Sequence, residues 1–175
     1  DWYTVMGGDG MDCQIDPTDT KWAYSDLYYG DVRRYTNGFF SGQIAKNGIK
    51  GINEQGAWVT SFILKEGTPS TMFIGYDNVW RSTNVQAATA SVAWTKVSAF
   101  SNSADIHYLE NCISAPNTMY VSKKDGYMYK STNVNAGTPT WTQCARPTGT
   151  YPRWIETDPG NANTVYIAQS NNIYK

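Results

Sequence analysis

Arg33-Arg34-Tyr35-Thr36-Asn37 is written again as Trp80-Arg81-Ser82-Thr83-Asn84 and as Tyr129-Lys130-Ser131-Thr132-Asn133, with a shortened copy at Ile173-Tyr174-Lys175. The basic residue of each copy stands at 34, 81, 130 and 175, at intervals of 47, 49 and 45 residues. A period near 47 means that one supersecondary unit is used repeatedly. The residues shared by the copies are then mostly about folding, and chemistry is to be sought where the copies differ.

Around each copy the same short strands recur. An apolar first strand ends at a turn: Met11 to Ile15, Trp58 to Leu64, Ile106 to Ile113 and Trp154 to Thr157. A second opens after a Thr, at Trp22, Met72, Met119 and Val165. The third carries the repeated phrase and is entered by a tight polar turn such as Asp77-Asn78 or Asp125-Gly126, a strong hairpin signal. A fourth begins with Trp, at Trp94-Thr95-Lys96-Val97 and Trp141-Thr142-Gln143-Cys144. Trp2-Tyr3-Thr4-Val5 has the same form.

Four antiparallel strands per unit of this length predict an all-β protein, a β-propeller of about four four-stranded blades. A parallel solenoid would need shorter coils, and a sandwich would not repeat its turn chemistry so regularly. The blades are expected over 7–56, 57–99, 105–145 and 153–175, with 1–6 as a fourth strand of the last blade or of another one. Two arrangements follow: a closed four-blade ring, or a piece of a larger propeller. In the first blade the fourth strand lacks its Trp and is expected around Gly42 to Ile52, with a loop that is a candidate for binding.

Composition narrows the function. With 14 Lys+Arg against 15 Asp+Glu, the net charge of -1 gives no electrostatic case for nucleic acid. No apolar run approaches the roughly 18 residues that a membrane-spanning helix needs. The 13 Tyr and 7 Trp suit half-buried sheet surfaces. The Asn/Thr/Ser-rich surface is typical of exported proteins. Cys13, Cys112 and Cys144 form no CxxC pair. Cys13 and Cys112 are read as inward-facing apolar filler at matching strand positions.

Ser82-Thr83-Asn84 with Trp94-Thr95, and Ser131-Thr132-Asn133 with Trp141-Thr142, resemble the Asp-box (BNR) repeat of sialidase-like and sortilin-like propellers, with Asn in place of Asp. The stretch from Trp2 through Asp12, Ile15-Asp16-Pro17 and Ser25 to Thr36 resembles large surface propeller proteins of Bacteroidetes-type bacteria. That resemblance implies a secreted, cell-surface protein exported by the type IX route. In such repeats Ser82, Asn84, Trp94, Ser131, Asn133 and Trp141 are fold residues. Arg34, Arg81, Lys130 and Lys175 are read as solvated or stacked cations.

The only histidine, His107, has no nucleophile elbow near it and is read as structural. No metal-ligand spacing or phosphate loop is present, so no cofactor is expected; a structural Ca²⁺ has no ligand motif behind it. The carboxylates Asp9, Asp12, Asp26 and Asp31 cluster in the first repeat, as turn residues or as a site. Some glycan-cleaving propellers, including xyloglucan-hydrolysing relatives, carry an Asp on a comparable strand near a Gly-rich turn, here nearest Asp26. A hydrolase needs a second acid about 5 to 9.5 Å away, and no motif marks one. Tyr28, Tyr29, Trp58 and Trp154 stand at strand ends, where aromatic rings stack on sugars. The expectation is a surface-associated binding or scaffold module for a glycan or a protein partner, with no residue assigned to catalysis. A propeller glycoside hydrolase and a purely structural blade array within a larger surface assembly are the alternatives.

Overall fold

In the computed structural model, which describes residue 4 and residues 6–175, the chain is an all-β propeller of four antiparallel sheets. Blade one contains β1 (Cys13–Ile15), β2 (Trp22–Leu27), β3 (Asp31–Thr36) and β4 (Phe39–Ala45). Blade two contains β5 (Phe62–Leu64), β6 (Met72–Gly75), β7 (Val79–Ser82) and β8 (Thr95–Lys96). Blade three contains β9 (Ile106–Asn111), β10 (Met119–Lys123), β11 (Met128–Ser131) and β12 (Thr142–Gln143). Blade four shows β13 (Trp154–Asp158), β14 (Asn161–Gln169) and β15 (Asn172–Tyr174) among the described residues. The fourth strand expected at 1–6 falls mainly on residues outside those described.

Side-chain alternation along the second strands builds the core. Met72 and Ile74 of β6 pack toward blade one with Tyr24, Val32, Ile44 and Trp94, while Phe73 between them packs toward blade three with Ile106, Leu109 and Met119. On β10, Met119 and Val121 face blade two and Tyr120 faces blade four, with Ile155 and Ile167. Successive side chains of a strand point to opposite faces, so each central strand joins two blades. Each large apolar side chain buried this way contributes about 1.5–3 kcal/mol.

The repeated phrase links each blade to the next. Arg34 on β3 donates to Val85 O and Ala87 O, both at 2.6 Å, to Thr89 Oγ1 at 2.9 Å and to Ser41 Oγ at 3.2 Å. Arg81 on β7 repeats the reach one blade on, to Val134 O at 2.8 Å and Ala136 O at 2.9 Å. Of the two expected settings, solvated or stacked, Arg34 takes the second: it is 4% exposed and its guanidinium lies over Trp22, while Arg81 is half-buried. The carbonyls they hold belong to turns shaped by Ser82 with Asn84 and by Ser131 with Asn133. The fourth-strand Trp reaches the other way: Trp94 Nε1–H donates to Ile44 O at 2.7 Å, and Trp141 Nε1–H to Val97 O at 2.8 Å.

Two expectations are corrected. The fourth strand of blade one is Phe39–Ala45, earlier than Gly42 to Ile52. Asn37 and Gly38, at φ 53° and 80°, form a two-residue hairpin turn that pairs Thr36 with Phe39. Cys13 is exposed while Cys112 is buried. The six-residue return turns start at Asp16, whose N–H bonds Trp22 O, and at Cys112, whose N–H bonds Thr118 O. Cys112 therefore matches Asp16 rather than Cys13, and an offset of three residues puts Cys13 on the opposite face.

Candidate functional site

The first strands and the β2–β3 turn meet at one end of the propeller, and Asp26 anchors that end. It is the penultimate residue of β2 and has no exposed surface. Its carboxylate accepts the Asp12 N–H at 2.7 Å, and its own N–H donates to Asp12 O at 3.1 Å. The other carboxylate oxygen, Oδ2, is buried without a partner among the described residues. Burial, helped by the negative charges of Asp12 and Asp31, pushes the Asp26 carboxyl up to about 7. Burial also raises Asp12, against the bond its carboxylate accepts from the Cys13 N–H at 2.8 Å.

Beside the acids lies an aromatic cluster. Tyr28 stacks on Trp58 with ring centroids 5.1 Å apart, and Tyr29 meets Trp58 edge-on at 5.2 Å. The three rings remain 43%, 39% and 49% exposed for Tyr28, Tyr29 and Trp58. Such partial exposure leaves ring faces for a ligand. The backbone is shaped to hold them. Tyr29 sits at φ 63°, a left-handed conformation costly for a non-glycine residue, and its N–H donates to Trp58 O at 3.3 Å. Gly30 follows at φ 75°, and a Cβ there would stand 2.4 Å from the Tyr76 ring. Tyr76 fixes the turn by donating its hydroxyl to Gly30 O at 2.9 Å.

One residue along from Trp58, the chain enters a hub cavity of about 350 Å³ shared by the first strands of all four blades. Asp12 lines it from blade one, Ser61 from blade two, His107 and Tyr108 from blade three, and Arg153 and Trp154 from blade four. Trp154 leans on Tyr108 at 4.5 Å between centroids. His107 meets Tyr151 edge-on at 4.8 Å, and its Nδ1 is buried without a partner among the described residues. Burial and the charges of Lys124 and Arg153 lower the His107 pKa, so the ring is neutral near pH 7.

The residues singled out from sequence thus divide. Asp12 and Asp26 bond each other, Tyr28, Tyr29 and Trp58 pack as one cluster, and Trp154 shares the cavity with Asp12. Asp31 is diverted: it accepts from Gln43 at 2.5 Å and faces Arg33 at 3.4 Å and Lys46 at 3.6 Å. Asp9 lies exposed in the segment before β1. Sequence reasoning missed Tyr108 and Arg153 and set His107 aside as structural. Their positions at the starts of first strands were the available signal.

No protein-family model matches the sequence, and no curated protein matches it. Among solved structures, the chain is similar to an ancestral GH74 enzyme at 19% identity and a TM-score of 0.63, over 90% of this chain and 21% of that one. The chain therefore spans about a fifth of that enzyme's length. At this identity the likeness bears on fold alone, and the fold it supports is the β-propeller.

Proposed function

We propose that this propeller is a carbohydrate-binding module of an exported, cell-surface protein, which takes sugar rings on the Trp58–Tyr28–Tyr29 cluster. The observation that carries the reading is three half-exposed rings held together by a strained backbone. A pyranose offers an apolar face to an aromatic ring, which suits this cluster.

Titration of the full chain with a panel of soluble plant and bacterial polysaccharides tests this. Binding by at least one is expected, with Trp58→Ala weakening it at least tenfold. No binding to any glycan, or unchanged affinity in Trp58→Ala, overturns the reading. Capture of a surface protein that Trp58→Ala leaves intact would point to the protein-partner alternative.

A second reading has an observation of its own. Asp26, held protonated close to neutral pH, has the property of a general acid for glycoside cleavage, and the fold is that of a glycan-acting enzyme class. Against it, the Asp26 side chain is fully enclosed. Release of reducing ends from a bound glycan, abolished in Asp26→Asn while binding persists, would establish it. Binding without release would leave the module a binder.

A further inference from the structure

Arg153 stands apart from the other arginines. Arg33, Arg34, Arg81 and Arg146 each donate to a carboxylate, a hydroxyl or a backbone carbonyl. The Arg153 backbone is fixed by an N–H bond to Ala168 O at 2.9 Å, and its guanidinium lies beside the Tyr151 ring at 5.8 Å. Among the described residues it has no hydrogen-bonded or ionic acceptor. It is exposed, and it borders the hub cavity. A planar fork of donors without an acceptor is suited to a ligand carboxylate, which guanidinium binds in bidentate fashion.

The rest of the cavity narrows what carries that carboxylate. Trp154 is 52% exposed and backed by Tyr108, and its indole N–H is already donated to Glu156 at 3.2 Å, so what it offers is a ring face. The imidazole of His107 supplies a buried Nδ1 without a partner among the described residues. Asp12 and Gln14 also line the cavity and carry polar groups suited to hydroxyls. The volume of about 350 Å³ lies at the lower end of small-molecule sites and admits one sugar ring. An acidic peptide side chain would meet the arginine but leave the aromatic face unused.

We infer that the hub cavity binds an acidic sugar, a pyranose lying on Trp154 whose carboxylate pairs with Arg153 beside His107. The inference deepens the carbohydrate-binding reading by naming uronic acids as the ligand class, and it rests on that reading for the choice of a sugar.

His107 is the only histidine, so its imidazole resonances are unambiguous in NMR spectra of the full chain. They report on the cavity directly. Methyl glucuronoside is titrated against its methyl ester, which keeps the ring and removes the charge. The acid should shift the His107 signals saturably, with the ester at least tenfold weaker. Arg153→Gln should bring the acid down to the level of the ester, and Arg153→Lys should retain part of the difference. Equal binding of acid and ester, or discrimination that survives in Arg153→Gln, overturns the inference. So does N-acetylglutamate acting as well as the sugar acid. If polysaccharides still bind through Trp58 in any of these cases, the broader reading stands alone. If neither polysaccharide nor monosaccharide binds, both fall.

Discussion

Arg34 holds Val85 O, Ala87 O and two hydroxyls of its own and the next blade in a buried setting. Removing one side of a buried charged hydrogen-bond set leaves carbonyls without donors, which costs more than the bonds contribute net. Arg34→Ala should lower unfolding free energy by roughly 2–4 kcal/mol in urea titrations, and Arg34→Lys by less. Arg33→Ala, whose partner Asp31 is also served by Gln43 and Lys46, should cost less than about 1 kcal/mol. A loss for Arg34→Ala no larger than for Arg33→Ala would mean that the clamp carries no stability. The recurrence of a basic residue was plain in the text of the chain, but its burial was not. The acceptors lie about 50 residues on, in a turn whose path no local pattern gives. The misreading of Cys13 has a related cause. The prolines at Pro17 and Pro116 look equivalent but occupy different places in their turns, so aligning them shifts the register by three.

At the scale of strands and turns, the pattern was largely readable, because period-two alternation and turn residues mark short strands directly. The exception was β4. Asn37-Gly38 reads as the tail of the repeated phrase, yet it is a hairpin turn, and the strand starts at once. Its Gly42, at φ 138°, lets Thr89 of blade two come close: a Cβ there would stand 2.6 Å from the Thr89 methyl. The fourth-strand tryptophans make a prediction of their own. Trp94→Phe keeps an aromatic ring but leaves Ile44 O without its donor, and a loss of about 1–2 kcal/mol is expected from equilibrium unfolding. Trp141 makes the matching bond to Val97 O but is only half-buried, so Trp141→Phe should cost less. Equal losses at the two sites would show that burial does not set the strength of this bond.

For the whole molecule, the enclosed acid at Asp26 gives a pH dependence. The folded chain keeps this proton up to about pH 7, whereas the unfolded chain releases it near the ordinary 3.8. The unfolded state therefore binds fewer protons between those values, and stability falls as pH rises through them before levelling off above about 7. Asp26→Asn should flatten that part of the profile. Relative to wild type, it should gain up to roughly 4 kcal/mol between pH 4 and pH 8, at 1.36 kcal/mol per pH unit. Thermal unfolding of both proteins at several pH values checks this; parallel profiles would show that Asp26 ionises normally. The propeller itself was legible because one blade, once recognised, is repeated. The hub cavity was not, because Arg153, His107, Trp154 and Asp12 are neighbours only once the first strands of blades one, three and four are set around an axis.

The hairpin at Asn37-Gly38 has a practical consequence. The corresponding turns of blades two and three are gripped by an arginine from the blade before, so foreign sequence spliced into them would pull two sheets apart. Asn37 is exposed, and the turn holds on mainly through its N–H bond to Lys21 O at 2.8 Å. A guest domain grafted there would hang from the rim of the protein like a pendant, with the staples elsewhere undisturbed.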